Sequence, residues 1–152
     1  MVRCMAIQQR CMYGNTEQMA EAIAASLADN GIKNIVMHNV SHTNHSYIIA
    51  DVFKYRGLIV GCPTYNTQMY PEMEALLNKL SAREIKGRYM GWFGSFTWAS
   101  AAVKKITEFN DKLKFEPVGN PIEMKHSMKS ETYVQCKELA KAMADRLKAD
   151  RK

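Results

Sequence analysis

Short apolar runs alternate along this chain with longer segments in which apolar residues return every three or four positions. The short runs contain β-branched or aromatic residues and are bounded by Gly, Pro or Asn, which is typical of buried strands. They predict strands over residues 2–7, 35–38, 57–60, 89–94 and, more weakly, 115–124. The longer segments predict helices over residues 16–29, 46–54, 70–81, 99–110 and 130–148.

Strands that alternate with helices predict an α/β fold, in which a doubly wound parallel sheet of five strands is covered by helices on both faces. Pro71, just inside one predicted helix, and Gly31, just after another, fit the usual start and stop signals. The last helix carries one apolar stripe that we interpret as core packing: Tyr133, Cys136, Leu139, Ala140, Met143 and Leu147. Because ligands of such sheets bind beyond the carboxyl ends of the strands, the segments that follow the strands are expected to carry the chemistry.

Three of these segments mix hydroxyl, amide and aromatic side chains. Residues 11–16 follow the first predicted strand, residues 62–71 the third and residues 94–100 the fourth. The first segment is a Gly-Asn-Thr loop that opens into a helix, so its backbone N–H groups and the positive helix end suit a phosphate. Tyr65 and Trp98, in the other two segments, are either stacking partners for a planar ligand or hydrophobic lids.

Length, composition and charge are those of a soluble globular protein. The chain has 152 residues, which predicts one domain with a substantial core, and its 47% hydrophobic and 24% charged residues are ordinary for a soluble protein. The net charge of +6 is spread over predicted helix faces without a nucleic-acid-binding motif, so we expect no nucleic-acid partner. The apolar runs are too short to span a bilayer and no signal-peptide pattern opens the chain, so we expect no membrane association.

The cysteines and histidines do not predict a metal site. The cysteines form no C-x-x-C pair, and we interpret them as reduced thiols of a cytoplasmic protein: Cys4, Cys11, Cys62 and Cys136. His42 and His45 have the helical spacing of metal ligands but lack further ligands nearby, so we interpret them as solvated. We interpret His38 and His126 in the same way.

Three motifs, in order along the chain, carry a family resemblance. Met-Tyr-Gly-Asn-Thr-Glu at residues 12–17, Gly-Cys-Pro-Thr-Tyr-Asn at 61–66 and Phe-Gly-Ser-Phe-Thr-Trp at 93–98 resemble the three FMN-binding loops of a flavodoxin-like domain. The likeness is greatest to the flavodoxin domain of the flavodiiron proteins, or A-type flavoproteins, and it extends over nearly the whole chain. It implies a single flavodoxin-like domain over residues 1–152, with strand order 2-1-3-4-5.

The resemblance also implies FMN as the cofactor. The first loop, with the side chains of Asn15 and Thr16, would hold the phosphate, and the other two loops would flank the isoalloxazine ring. The implied cofactor-binding residues are Cys11, Met12, Tyr13, Gly14, Asn15, Thr16, Pro63, Thr64, Tyr65, Asn66, Ser95, Phe96, Thr97 and Trp98. Cys11 replaces a hydroxyl residue that is usual in the family, and we expect a neutral thiol there, with backbone N–H groups binding the phosphate.

In flavodiiron proteins, electrons from a reductase chain pass through FMN to a diiron centre that reduces oxygen or nitric oxide. This sequence shows no counterpart of their metallo-β-lactamase-type domain, so we expect the flavin half alone. We therefore predict an electron-transfer flavoprotein rather than a stand-alone enzyme, with no catalytic or metal-ligating residues. The implied partners are redox proteins, namely a reductase or rubredoxin-like donor and a diiron acceptor, and self-association into a homodimer stays open.

Two other functions stay open on the sequence. An NAD(P)H-dependent FMN or quinone reductase of the same fold would need a nicotinamide pocket over the flavin, on a face that a stacked Trp98 would block. A cofactor-free interaction domain would follow if Cys11 and the absence of family glycines at Thr97, Ala99 and Ser100 disabled the site.

Overall fold

The computed structural model describes residues 3–8, 15–65, 68–96 and 100–150, in which strands and helices alternate as predicted. The strands are β1 (Arg3–Gln8), β2 (Asn34–Asn39), β3 (Gly57–Tyr65), β4 (Gln68–Met69), β5 (Tyr89–Phe96), β6 (Glu116–Pro117) and β7 (Ile122–Lys125). The helices are α1 (Asn15–Asp29), α2 (His45–Lys54), α3 (Pro71–Ser81), α4 (Ala102–Leu113) and α5 (Ser130–Ala149). Within these described ranges, no helix combines the length and the apolar character that crossing a membrane requires.

The strands form one sheet with β1, β3 and β5 at its centre. Strand β2 pairs with the outer side of β1, while β6 and β7 pair one after the other with the outer side of β5. All these pairs are parallel; β4 differs, since it forms an antiparallel hairpin with β3. The predicted order 2-1-3-4-5 is confirmed, with β5 in the fourth position and β6 and β7 sharing the fifth.

We predicted one continuous fifth strand over residues 115–124, and this was wrong, because two short strands occupy this stretch. Strand β6 pairs near the start of β5, and β7 pairs near its end. Between them, Gly119 has a φ of +68°, which takes the backbone out of the extended conformation. Pro121 follows and has no N–H to donate to a sheet. The sheet edge is therefore interrupted at residues 118–121.

Apolar side chains cover both faces of the sheet. One layer packs α2, α3 and α4 against a face that includes Leu58 and Val60, and the other packs α1 and α5 against a face that includes Ile59 and Phe93. This division follows from the strand geometry, because successive side chains point to opposite faces. The predicted apolar stripe of α5 lies in the second layer, except for Tyr133, which is 47% exposed.

Gly61 leaves room for the ring of Phe93 on one face of the sheet. It lies opposite Phe93 in the parallel pairing of β3 with β5. A Cβ added at Gly61 would lie 2.1 Å from Cζ and 2.2 Å from Cε2 of the Phe93 ring. Because this ring is fully buried, it occupies the space that any larger residue would need. Glycine is thus required where β3 approaches its carboxyl end.

Strands β3 and β5 run further than the sequence predicts. Their parallel pairing continues through Cys62 with Gly94 and through Pro63 with Ser95, so the strands end only at residues 65 and 96. Five of the predicted cofactor-binding residues are therefore strand residues: Pro63, Thr64, Tyr65, Ser95 and Phe96. Helix α4 correspondingly begins at Ala102 instead of residue 99.

The two helix signals that we took from Pro and Gly are confirmed. Pro71 is the first residue of α3. Gly31 follows α1 with a φ of +88°, and the next residue, Ile32, donates its N–H back to the carbonyl of Leu27 at 3.0 Å. This left-handed turn pairs a carbonyl of the last helical turn that has no partner inside the helix.

Two histidines that we interpreted as solvated have side-chain partners. Nε2 of His38 on β2 lies 2.6 Å from Oδ2 of Asp51 on α2, and both side chains are largely buried. This contact ties the edge strand of the sheet to the helix that covers it. At the start of α2, Nζ of Lys79 lies 2.9 Å from Nδ1 of His45. The ammonium group donates this hydrogen bond, and burial together with the Lys79 charge lowers the pKa of His45.

Candidate functional site

The carboxyl ends of β1, β3 and β5 lie side by side. Gln8 at the end of β1 pairs with Gly61 of β3, and Pro63 two residues later pairs with Ser95 of β5. The first turn of α1 contacts β5 at this position. The described parts of the three predicted segments therefore meet at one edge of the sheet, which we call the carboxyl edge.

Seven predicted site residues lie outside the described residues, so their roles stay predictions: Cys11, Met12, Tyr13, Gly14, Asn66, Thr97 and Trp98. Two more are placed by their backbone, since Asn15 is the first residue of α1 and Tyr65 is the last residue of β3. The structure describes the side chains of the other five: Thr16, Pro63, Thr64, Ser95 and Phe96.

Two buried hydroxyl groups join α1 to the centre of the sheet. Oγ1 of Thr16, the second residue of α1, lies 3.1 Å from Oγ of Ser95 on β5. Thr16 is 0% exposed and Ser95 is 6% exposed, so this hydrogen bond is shielded from water. Either hydroxyl is able to donate. The contact fixes the start of α1 against a strand that lies 79 positions away in the sequence.

The Thr64 hydroxyl joins β3 to the start of α4. Its Oγ1 accepts hydrogen bonds from the backbone N–H groups of Ala101 at 3.2 Å and Ala102 at 3.1 Å. Ala101 is the N-cap residue of α4 and has no side chain able to cap. Thr64 therefore does the capping from a neighbouring strand. Sequence reasoning missed this role, although an alanine at a helix start is a signal that the cap comes from elsewhere.

The hairpin of β3 with β4 shapes the second segment. Thr64 pairs with Met69, and Tyr65 pairs with Gln68, so β4 runs antiparallel to the end of β3. The side chain of Met69 is buried in the layer formed with α2, α3 and α4, and Pro63 is also buried. The sequence predicted a loop between the third strand and the helix that begins at residue 70, and the Pro, Thr and Asn residues there are typical of turns.

The ends of the third segment are held by two further contacts. The carbonyl of Phe96, at the end of β5, accepts from the N–H of His126 at 3.1 Å. The hydroxyl of Ser100 donates to Oε1 of Glu123 on β7 at 2.5 Å. The first contact joins the segment to the residue that follows β7, and the second joins it to β7 itself. The sequence offered no signal for Glu123, which follows the ordinary alternation of buried and exposed residues along β7.

Cys62 lies near the carboxyl end of β3, just below the carboxyl edge. Its thiol is buried in the layer formed with α2, α3 and α4, and it donates to the carbonyl of Pro63 at 3.2 Å. Burial raises the pKa of Cys62 to about 12, although the backbone N–H of Tyr70 lowers it slightly. The thiol is therefore neutral at physiological pH, and a neutral thiol is neither a nucleophile nor a metal ligand.

The start of α1 suits a phosphate better than the starts of α3 and α4, the helices that follow the other two segments. The first N–H groups of a helix have no partner inside the helix and attract anions. Helix α3 begins with Pro71, which has no N–H, and the start of α4 is capped by Thr64. Near α1, the buried polar side chains of Thr16 and Ser95 are neutral hydroxyls. This donor chemistry fits the phosphate group of FMN.

Comparison with protein families and relatives gives one family. A family model described as Flavodoxin matches residues 10–139. The anaerobic nitric oxide reductase flavorubredoxin of Aliivibrio salmonicida is 30% identical, over 74% of this chain and 25% of that protein. The chain spans about a third or less of the length of the first curated relatives it matches.

Solved structures agree with this assignment. The rubredoxin oxygen:oxidoreductase from Desulfovibrio gigas superposes with a TM-score of 0.91 at 27% identity, covering 97% of this chain and 36% of that one. The Flv1 flavodiiron core from Synechocystis sp. PCC6803 superposes with a TM-score of 0.87 at 27% identity, covering 98% of this chain and 37% of that one. The predicted flavodoxin-like fold and the resemblance to flavodiiron proteins are both confirmed.

Proposed function

The chain belongs to the flavodoxin family, and from this premise we propose that it holds FMN at the carboxyl edge of its sheet and exchanges electrons with protein partners. FMN as the cofactor and a general role in electron transfer come with the family. The place of the cofactor on this chain and the identity of its redox partners are our proposal.

The observation that carries the proposal is the hydrogen bond between Thr16 and Ser95, because it brings the first turn of α1 onto the carboxyl end of β5. We assign the phosphate to residues 11–16 and the isoalloxazine ring to the space between residues 63–66 and 95–98. The hairpin of β3 and β4 supports one side of this space. The contacts of Phe96 with His126 and of Ser100 with Glu123 support the other side.

Bound FMN supplies the redox chemistry, and the protein supplies position and environment. Thr16 orients the helix start toward the phosphate, and Thr64 holds the start of α4, which follows the third segment. The buried face of β3 and β5 below the site excludes water. The neutral Cys62 thiol adds no charge beneath the ring. None of these residues needs to react, which supports an electron carrier rather than a stand-alone catalyst.

The relatives suggest the kind of partner. Their names include a rubredoxin oxygen:oxidoreductase and a flavodiiron core, of which this chain matches about a third. We therefore propose a reductase or rubredoxin-like protein as electron donor and a diiron reductase of oxygen or nitric oxide as acceptor. A cytoplasmic location accords with the free thiols of Cys62 and Cys136, because a reducing compartment preserves them.

The first test is the visible absorption spectrum of the purified chain after FMN is added and the excess is removed. We expect the bands of protein-bound flavin at a stoichiometric amount, together with quenched tryptophan fluorescence. Riboflavin, which lacks the phosphate, is the matched control ligand and should be retained less well. A chain that retains no flavin under these conditions would contradict the proposal.

The second test concerns the partners. With FMN bound and oxygen excluded, we expect a rubredoxin-like donor to reduce the flavin, and a diiron reductase to reoxidise it. NADPH alone should leave the flavin absorbance unchanged over the same period. Rapid bleaching by NADPH without a protein donor would instead support a reductase that binds nicotinamide itself.

A further inference from the structure

The hydroxyl of Ser95 faces α1 rather than the open end of the carboxyl edge. Ser95 and Phe93 are two residues apart on β5, so their side chains point to the same face of the sheet. Phe93 belongs to the apolar layer formed with α1 and α5. The hydrogen bond to Thr16 agrees with this direction. The sequence had assigned Ser95 to the flank of the ring, but the contact that the structure shows is with the helix start.

Thr16 is the point at which α1 is fixed beside the proposed phosphate position. Further along, α1 packs on the sheet through apolar side chains, including Met19, Ala20 and Ile23. Apolar packing sets how far a helix lies from a sheet, but it is not directional. A hydrogen bond between two buried hydroxyls is directional, and it restrains the first turn along and around the helix axis. The N–H groups of that turn are the ones that a phosphate would meet.

We propose that Ser95 is a positioning residue for the phosphate of FMN, acting through the hydroxyl of Thr16 on the first turn of α1. This inference rests on the proposed function, because it assumes that FMN lies at the carboxyl edge. It predicts that Ser95 matters for the phosphate and not for the ring. Phosphate and ring are separable, because riboflavin carries the same ring without the phosphate.

The experiment compares two ligands on matched variants. Dissociation constants for FMN and riboflavin are measured by flavin fluorescence in phosphate-free buffer, for wild type, Ser95→Ala, Thr16→Val and the double variant. Ser26→Ala is the control, since it removes another buried hydroxyl from α1 away from the first turn. Urea unfolding of each variant without ligand establishes that it is folded.

We expect Ser95→Ala to weaken FMN binding about tenfold, the size of effect that follows from leaving a buried hydroxyl without its partner. Riboflavin binding should change less than about twofold. Thr16→Val should lose at least as much FMN affinity as Ser95→Ala, and the double variant should be no weaker than Thr16→Val, because both substitutions remove the same interaction. Ser26→Ala should leave the ratio of the two constants as in wild type.

Three results would overturn the inference. Equal losses of FMN and riboflavin affinity in Ser95→Ala would mean that Ser95 acts on the ring. Additive losses in the double variant would mean that Ser95 does not act through Thr16. If Ser95→Ala does not fold, Thr16→Val provides the test. An unchanged ratio of the FMN and riboflavin dissociation constants in Thr16→Val would then overturn the inference. A wild-type chain that binds neither ligand would contradict the proposed function itself, which is a separate and recognisable outcome.

Discussion

The two edges of the sheet are built from different interactions. At the carboxyl edge, the contacts of Thr16, Ser95 and Thr64 join neutral hydroxyls to each other or to backbone N–H groups, while the contact of Ser100 with the Glu123 carboxylate is exposed. At the opposite edge, where β3, β5 and β6 begin, charged side chains gather around the end of α5. We call this second group the amino-edge network: Arg56, Tyr89, Glu116, Arg146 and Asp150.

The amino-edge network holds the end of α5 on the sheet. The Tyr89 hydroxyl donates to Asp150 at 2.7 Å, and Arg56 donates to the same carboxylate. Arg146 donates to both carboxylate oxygens of Glu116 at 3.2 Å and lies 4.4 Å from the centre of the Tyr89 ring. These groups pair with one another, so they serve the fold. The chain thus gathers these paired charges at one edge, and its neutral donors lie at the edge where we place an anionic cofactor.

The first prediction tests whether the carboxyl edge is packed more tightly than the amino edge. Gly61→Ala should destabilise the protein by roughly 3 kcal/mol or more, because the new Cβ meets the buried Phe93 ring at 2.1 Å and a packed core yields little. Gly87→Ala, beside the start of β5, is the matched control. A Cβ at Gly87 would meet nothing within 4 Å, so only its φ of +73° should cost stability, roughly 1 kcal/mol.

Urea unfolding of both variants provides the measurement. Similar midpoints for Gly61→Ala and Gly87→Ala would show that the ring moves aside easily, and the contrast in packing between the two edges would then be lost. A small decrease of the midpoint for Gly87→Ala with a much larger decrease for Gly61→Ala would support it.

The second prediction concerns the cap that β3 provides to α4. Thr64→Val removes the hydroxyl while keeping the shape of the side chain, and it should cost about 1 kcal/mol of stability, as the loss of an N-cap does. Thr64→Ser keeps the hydroxyl and should retain most of that stability. Urea midpoints measure both. If Thr64→Val and Thr64→Ser have the same urea midpoint, keeping the hydroxyl gives no advantage. The helix cap would then not explain the loss of stability in Thr64→Val.

Much of the fold was predictable because its signals are local. Apolar periodicity located every helix to within three residues, and Pro71 and Gly31 marked their ends correctly. The extension of β3 to Tyr65 and of β5 to Phe96 was not predictable in the same way. Both extensions contain Gly, Pro, Thr or Ser, which are typical of turns, and they become strand through pairing with each other and with β4 and β7. That pairing is a property of the assembled sheet.

The site was predictable as a set of segments, but its contacts were not. The rule that ligands lie beyond the carboxyl ends of parallel strands selected the three segments. It did not indicate that Thr16 would bond Ser95 across 79 positions, or that Thr64 would cap a helix in place of Ala101. A hydroxyl in such a segment has several partners within reach, and only the packed structure decides among them.

The last and smallest prediction tests the amino-edge network through pH. The pKa of Asp150 is held below its ordinary value, chiefly because Tyr89 donates a hydrogen bond to it and also because Arg56 and Arg146 lie beside it. A carboxyl group whose pKa is lowered in the folded state stabilises the fold fully when the pH is above its unfolded pKa of about 4. This contribution is lost as the pH falls below that value and through the folded pKa. Asp150→Asn should therefore be less stable than wild type at neutral pH, and the difference should narrow in acid.

The measurement is the urea midpoint of wild type and Asp150→Asn from neutral pH down through the range below about pH 4. Asp145→Asn makes the same charge change at an exposed position of α5 and should show a smaller difference at neutral pH. A gap between wild type and Asp150→Asn that stays constant into acid would mean that the carboxylate charge is not what stabilises this edge. The two edges would then differ in which residues they contain but not in what stabilises them, because shape and packing would account for the stability of both.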